Sequence, residues 1–146
     1  MALPVPEHGL VISYAYLWRS EARAGIAEGR KNRPCAIILS VQREGEHTPL
    51  VTVAPITHTS PADPTVAIEI PLAVKQHLHL DSERSWVVLD DLNMFTWPGF
   101  DLAPVPGSKD RYHYGFLPPA FYRKLIEKFA ELRRRRRAAP TSRDEV

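Results

Sequence analysis

The sequence predicts a mainly β protein of the α+β class: a small, strongly bent sheet or barrel of about five to seven strands with one C-terminal helix. Short segments rich in β-branched and aromatic residues alternate with turn-forming segments, which is typical of small β folds. One segment near the C-terminus instead has apolar residues at helical spacing. The chain has 146 residues and is 44% hydrophobic, a size and composition that fit a single domain.

The first strands form the part of the fold that the sequence predicts best. Val11–Trp18 has the composition of a strand, and the charged, glycine-containing residues 19–32 predict an exposed loop after it. The continuous apolar run Cys35–Val41 indicates a strand that is buried on both faces. Residues 42–49 turn the chain back, so that Leu50–Ala54 becomes the antiparallel partner in a hairpin.

Further strands are predicted in the middle of the chain. Thr65–Ile70 alternates apolar and other residues, and Ser85–Leu92 contains a second apolar run. Leu72–Leu80 between them favours a brief helix. Phe95–Trp97 could extend the sheet, whereas the prolines and glycines of residues 98–110 predict irregular structure.

A long helix is predicted to follow Pro118 and Pro119, because proline suits the first turn of a helix. Its apolar face would consist of residues three or four positions apart, which would pack against the sheet. These residues are Phe121, Leu125, Phe129 and Leu132.

Composition excludes several classes of protein. The single cysteine, Cys35, cannot form an internal disulfide, and the chain has no pair of cysteines for a zinc site, so a reducing compartment is expected. No apolar stretch approaches the roughly 20 residues that span a bilayer. The N-terminal residues do not have the pattern of a signal peptide. We therefore expect a cytoplasmic protein with no membrane association.

Positive charge is concentrated near the C-terminus. The chain carries a net charge of +2, and Arg133–Arg137 is a run of five arginines, so the rest of the chain is close to neutral. Such a run attracts phosphate or acidic proteins, but it is equally typical of a solvated helix end. We expect one domain over residues 1–132 and a basic, disordered tail over residues 133–146.

The candidate chemistry lies at the ends of two neighbouring strands. Arg33 precedes one strand, and the other strand ends at Thr57 and His58, so the hairpin can bring a guanidinium and a hydroxyl together. A guanidinium can bind two phosphate oxygens and stabilise the charge that develops on phosphorus. A threonine hydroxyl without a base is a poor proton acceptor, so Thr57 would position the phosphate. These residue types suit the cleavage of a phosphodiester.

Each candidate also has a more ordinary interpretation. Arg33 could form an ion pair with Glu28, Glu44 or Glu46, and Thr57 could be a turn hydroxyl. His58 has the pKa range for proton transfer near neutrality, but a surface histidine is the commoner case.

Four further residues are candidates for substrate binding. Trp18 and Trp97 adjoin loops and could stack on bases, although aromatic residues in a small barrel more often belong to its core. Arg30 and Lys31 lie just before Arg33 and add positive charge there.

Several short motifs follow one another in a characteristic order and spacing over roughly residues 9–132. These motifs are Gly9–Ile12, Gly29, Arg33-Pro34, Ile37–Ser40, Val53–Thr57 and, less closely, Val88–Leu92. In this arrangement the sequence resembles the MazF/PemK-like toxins of bacterial toxin-antitoxin systems, with the PemK-like branch nearest.

The resemblance implies an SH3-like barrel that forms a homodimer, is inhibited by a cognate antitoxin peptide, and cleaves single-stranded RNA without a metal or other cofactor. It also implies that Arg33 and Thr57 are the catalytic residues. Two other functions stay open at this stage: a non-catalytic barrel that binds nucleic acid or protein, and a CcdB-like toxin that poisons DNA gyrase.

Overall fold

The computed structural model of the protein describes residues 3–26 and 31–144. Within these ranges it contains eight strands, three α-helices and a short 3-10 turn at Pro64–Val66. In chain order the elements are β1 (Leu10–Ala15), α1 (Arg19–Arg23), β2 (Asn32–Val41), β3 (Leu50–Thr57), β4 (Ala67–Glu69), α2 (Leu72–His77), β5 (Trp86–Val88), β6 (Asp91–Thr96), β7 (His113–Phe116), α3 (Pro119–Arg134) and β8 (Ala139–Ser142).

The strands form one sheet in which β3 has a central position. The order along the sheet is β4-β5-β3-β2-β1-β7. Outside this order, β6 pairs with β3, and β8 pairs with β6. All pairs are antiparallel except β6 with β8. β3 pairs with β6 through Leu50–Val53 and with β5 through Ile56 and Thr57, so it changes its neighbour halfway along. No pairing joins β4 to β7 in the part of the chain that the structure describes, so the sheet is not a closed barrel.

The predicted hairpin is confirmed. β2 pairs with β3 from Cys35 opposite Pro55 to Val41 opposite Leu50, with a register shift between Ile37 and Leu39. β3 continues beyond Ala54 and ends at Thr57. The mainly β class with a long C-terminal helix is likewise confirmed.

Other predicted boundaries differ from the structure. β1 ends at Ala15 and not at Trp18, because the chain turns there into α1. The strand predicted over residues 85–92 is two strands, β5 and β6, which pair with different parts of β3. β7 lies in a segment with no strong alternation of apolar residues, so the sequence pattern does not predict it.

Two groups of apolar residues pack on the two faces of the sheet. Residues that alternate along β1, β2 and β3 point to opposite faces, which explains why these strands are apolar throughout. The first group includes Val11, Ala36, Ile38, Ala54 and Ile56 and packs against α3. The second group, on the opposite face, includes Ile12, Tyr14, Cys35, Ile37, Val53, Phe95 and Trp97. Cys35 is fully buried, and this burial raises the pKa of its thiol.

The C-terminal helix α3 forms as the periodicity predicts. Pro119 lies in its first turn, and the four residues expected to form its apolar face are all buried. The hydroxyl of Tyr122 also donates a hydrogen bond of 2.7 Å to the backbone carbonyl of Ile38, which ties the helix to β2. None of the helices in the described ranges has the length and apolar character needed to cross a bilayer.

The C-terminal segment differs from the disordered tail that we expected over residues 133–146. α3 continues to Arg134, and β8 then adds to the free edge of β6. Arg143 contacts Asp101 at 2.6 Å, with side chains that are 5% and 17% exposed. The Asp144 carboxylate accepts hydrogen bonds from the Thr96 backbone N–H at 2.6 Å and from the Thr96 hydroxyl at 2.7 Å. Pairing of this kind depends on backbone groups and buried charges, which composition does not reveal.

A buried asparagine holds the turn that follows β1. The Asn93 side chain is inaccessible to solvent, and its amide nitrogen donates to the Leu17 carbonyl at 2.7 Å. Its carbonyl oxygen accepts from the Leu17 N–H at 2.9 Å. One side chain therefore satisfies both backbone groups of Leu17, which would otherwise be buried without partners.

We expect Asn93→Ala to lower the free energy of unfolding by about 2–4 kcal/mol, because it leaves a buried donor and a buried acceptor unpaired. Urea unfolding followed by tryptophan fluorescence measures the effect. Asn32→Ala, at an exposed position, serves as the control and should change stability by no more than about 0.5 kcal/mol. Equal unfolding midpoints for Asn93→Ala and the unmodified protein would show that the Asn93 hydrogen bonds do not stabilise the fold.

Candidate active site

A cleft of about 760 Å³ opens where the end of β3, the start of β2 and the turn between β5 and β6 meet. It is lined by five of the residues that the sequence singled out: Trp18, Lys31, Arg33, Thr57 and His58. The β2–β3 register explains why two of them meet, since Cys35 lies opposite Pro55 and the residues two positions further along are Arg33 and Thr57. Residues opposite each other in an antiparallel pair direct their side chains to the same face.

Arg33 is half-buried at the edge of the cleft. Its guanidinium lies over the Trp18 ring, 5.0 Å from the ring centroid, a cation–π contact that restricts its motion. No carboxylate pairs with it in residues 3–26 and 31–144, so the ion pairs considered with Glu44 and Glu46 do not form, and Glu28 lies outside the described residues. The Nε atom is buried and has no hydrogen-bond partner within the same ranges. The guanidinium can therefore bind an anion in the cleft.

Thr57 is the last residue of β3 and is 8% exposed. Its hydroxyl oxygen accepts a hydrogen bond from the Thr59 N–H at 3.1 Å, which is the turn interaction considered as its ordinary role. This bond uses the oxygen lone pair and leaves the hydroxyl proton able to donate. The side chain is thus fixed by the turn while it lines the cleft.

His58 follows the end of β3, so strand alternation no longer separates its side chain from that of Thr57. The exposed imidazole lies between two carboxylates. Nε2 is 2.7 Å from Asp81 Oδ2, and Nδ1 is 3.4 Å from Glu83 Oε2. The ring is oriented by these contacts, and both of its nitrogens are engaged.

A buried lysine supports the histidine from behind. The Lys75 side chain is 3% exposed, and its ammonium group donates to Asp81 Oδ1 at 2.6 Å, to Ser85 Oγ at 2.7 Å and to the Glu83 carbonyl. Partial burial acts to raise the pKa of Asp81, but the Lys75 hydrogen bond and the charges of His58 and Lys75 lower it below its usual value. Sequence reasoning missed this lysine because a charged residue in a short helix ordinarily lies on the surface.

His58, Asp81 and Glu83 also form the one group of possible metal ligands in the described ranges, with ligand atoms within 4.8 Å of one another. All three residues are exposed. The Lys75 ammonium already neutralises Asp81, which lowers the electrostatic attraction for a divalent cation. The arrangement thus resembles a charged hydrogen-bond network more than a metal centre.

Two adjacent aspartates in the cleft wall have different environments. The Asp91 carboxylate accepts a hydrogen bond from the Tyr16 hydroxyl at 2.7 Å and bonds from the Arg19 N–H at 3.2 and 3.3 Å, so it holds the start of α1. Asp90 has a raised pKa because partial burial disfavours its charge, an effect that Arg19 partly offsets. A carboxyl group with a raised pKa in a cleft is a candidate for proton transfer. The sequence motif contained Asp90, but only the structure distinguishes it from its neighbour.

The remaining predicted site residues are not all in the cleft. Lys31 is exposed on the cleft wall. Trp97 is 7% exposed and packs at a ring distance of 6.0 Å from Phe95 in the second core group, so it does not line the cleft. Its large apolar ring is used for packing and not for contact with a base. Arg30 lies outside the described residues.

Comparison with protein-family models, with curated proteins and with solved structures gave no match for this chain. The resemblance to MazF/PemK-like toxins therefore depends on the short motifs of the sequence alone. What this protein does has to be inferred from the chemistry of the cleft.

Proposed function

We propose that this protein is an endoribonuclease that cleaves single-stranded RNA without a metal, as the MazF/PemK-like toxins that its sequence resembles do. The observation that carries the proposal is the Arg33 guanidinium, which lines the same cleft as Thr57 and pairs with no carboxylate in the part of the chain described. A permanent positive charge held in this way is suited to binding a phosphodiester. The half-buried Trp18 ring lines the same cleft and holds this guanidinium through the cation–π contact.

The proposed reaction is an internal transesterification. The 2′-hydroxyl of the RNA loses its proton to a base, attacks the neighbouring phosphorus and displaces the 5′-oxygen, which takes up a proton. The products are a 2′,3′-cyclic phosphate and a 5′-hydroxyl end. Because the RNA supplies its own nucleophile, the protein needs to provide charge stabilisation and two proton transfers.

The residues of the cleft divide these tasks. Arg33 stabilises the additional negative charge on the phosphoryl oxygens in the transition state, and Thr57 donates a hydrogen bond that positions the phosphate. Asp90, whose raised pKa brings its proton exchange nearer to neutral pH, acts as the base. His58, oriented by Asp81 and Glu83, acts as the acid for the leaving oxygen.

The wider features of the proposal follow from the same resemblance. They are an SH3-like arrangement of the sheet, a homodimer, inhibition by an acidic antitoxin peptide and a cytoplasmic location. The bent course of β3, which pairs with β6 in its first half and β5 in its second, is compatible with such an arrangement.

A second candidate function is favoured by one observation. Both nitrogens of His58 are already engaged by carboxylates, so contact with a leaving oxygen requires one of these interactions to break. If Asp90 is also inactive, the cleft would bind single-stranded nucleic acid without cutting it. Binding without cleavage in a labelled RNA assay would select this alternative.

We expect the purified protein to cleave labelled single-stranded RNA in the presence of EDTA, and Arg33→Ala to reduce the rate by about 10²–10³-fold, the usual effect of removing one transition-state donor. Arg33→Lys should recover only part of the activity because lysine lacks the planar fork. Mass spectrometry of the products should show 2′,3′-cyclic phosphate ends.

Arg84→Ala is the matched control for Arg33→Ala. The Arg84 guanidinium also lies 5.0 Å from a tryptophan ring, that of Trp86, but it pairs with Glu69 outside the cleft. We expect this variant to cleave RNA at the unmodified rate. Equal activity in Arg33→Ala and Arg84→Ala would remove Arg33 from the mechanism.

We expect Asp90→Asn to lower cleavage by about 10²–10⁴-fold at neutral pH, the usual contribution of a general base, and to abolish the fall in rate toward acid pH. The raised pKa of Asp90 means that the folded protein disfavours its charge, so stability increases as pH falls through that pKa toward the ordinary value. The neutral variant should therefore be at least as stable as the unmodified protein at pH 7.

Rate–pH profiles and thermal unfolding of the same samples check both parts of this expectation. Asp110→Asn, which changes an exposed carboxylate outside the cleft, is the control. An unchanged acid limb in Asp90→Asn would assign the base role to another group.

A further inference from the structure

The last arginine of the basic run reaches the cleft. Arg137 Nη2 lies 2.5 Å from Oδ2 of Asp63, a residue of the cleft wall. The backbone places it there, because the Arg137 N–H bonds to the Leu132 carbonyl at 2.8 Å and β8 then begins with Ala139 beside Asp91. The end of α3 therefore turns back toward the cleft.

We propose that Arg137 is a second phosphate-binding residue of the cleft. Its guanidinium pairs with the Asp63 carboxylate until a phosphate of the RNA replaces that carboxylate as its partner. This inference rests on the proposed function, since it assumes that a single strand bound at Arg33 continues past Asp63. A carboxylate and a phosphate bind a guanidinium in the same way, through two acceptor oxygens. A phosphate of the RNA can therefore replace the Asp63 carboxylate as the partner of the Arg137 guanidinium.

The Arg137–Asp63 pair is suited to exchange. The two side chains are 41% and 42% exposed, and exposed pairs of this kind contribute little to stability. Asp63 does not need Arg137 to hold its position, because its Oδ1 accepts hydrogen bonds from the Thr65 N–H at 2.9 Å and the Thr65 hydroxyl at 2.6 Å. Arg137 can therefore leave Asp63 without loss of the turn.

The other arginines of the run have different surroundings. Arg133 lies over the Phe129 ring at 6.0 Å, and Arg135 pairs with Glu131 at 3.3 Å within α3. Arg134 and Arg136 are exposed. Arg137 differs from these four because its contact is with a residue of the cleft, and the charge of Asp90 in the same cleft also acts on it.

The test is the binding of a fluorescent single-stranded oligonucleotide with 2′-O-methyl riboses, which cannot be cleaved by attack of the 2′-oxygen. Anisotropy titrations at several salt concentrations give the dissociation constant and its salt dependence. Arg137→Ala should raise the dissociation constant and reduce the slope of log K against log salt by about 0.7, the value for one phosphate contact with a single strand. Arg134→Ala, which removes the same charge from the same helix end, is the control and should change the slope by much less.

Asp63→Asn adds a test of opposite sign. The amide keeps an oxygen that can accept from Thr65 but removes the charge that competes with phosphate, so this variant should bind the oligonucleotide more tightly than the unmodified protein. In the double variant with Arg137→Ala, that gain should disappear. Thermal unfolding of each variant shows that the fold is retained.

Three results would overturn the inference. The first is that Arg137→Ala binds the oligonucleotide as tightly as the unmodified protein does. The second is that Arg137→Ala and Arg134→Ala weaken binding equally, which would indicate a diffuse effect of charge, and the third is weaker binding by a folded Asp63→Asn variant. Failure of the proposed function is distinguishable, because a protein that cleaves no RNA can still show the Arg137-dependent binding measured here.

Discussion

Backbone pairing between β2 and β3 sets the positions of the two central residues of the cleft. Cys35 lies opposite Pro55 in this antiparallel pair, and Arg33 is two residues before Cys35 while Thr57 is two residues after Pro55. The other contacts of the site follow from this register. β1 pairs with the start of β2, so the turn after β1 brings Trp18 under the Arg33 guanidinium. β3 exchanges β6 for β5 near its end, which places the β5–β6 turn and its aspartates against the same cleft.

The positively charged residues around the cleft differ in whether they pair with a carboxylate. Lys75 and Arg137 each pair with a carboxylate, whereas Arg33 in the described structure contacts an aromatic ring. An arginine over a tryptophan keeps its full charge for a ligand, while a paired one must first exchange its partner. Of these three cations, Arg33 is the one that pairs with no carboxylate in the described structure.

The pattern of apolar residues in the sequence predicted the strands that are buried on both faces of the sheet and the helix that buries one face. The β2–β3 hairpin and α3 were found in this way, and the end of the hairpin led to Arg33, Thr57 and His58. The elements that it missed are α1, which lies in the segment predicted as a loop, and the strands β7 and β8. The two strands are held by backbone pairing and by contacts such as that of Arg143 with Asp101, which leave no periodic pattern. Trp97 was misplaced for a related reason, since an aromatic residue near a loop looks the same in sequence whether it faces solvent or core.

The same limit applies to the charged residues of the site. Lys75 and Asp81 lie six positions apart, and Asp63 and Arg137 lie 74 positions apart, so neither pair is recognisable before the chain is folded. Asp90 and Asp91 are adjacent and identical in type, yet the Asp91 carboxylate is hydrogen-bonded to Tyr16 and the start of α1, whereas Asp90 contacts Arg19 through its backbone carbonyl. Only the folded arrangement separates a structural carboxylate from one that can exchange a proton.

The burial of Cys35 has a practical consequence. It is the single thiol of the chain and is sealed between the neighbouring strands β1 and β3, two residues from Arg33. An alkylating reagent can reach it only when these strands separate, and the raised pKa of the thiol further slows its reaction in the closed state. The rate at which this sulfur is modified therefore reports how often the structure opens locally around β2. This measurement requires no introduced probe.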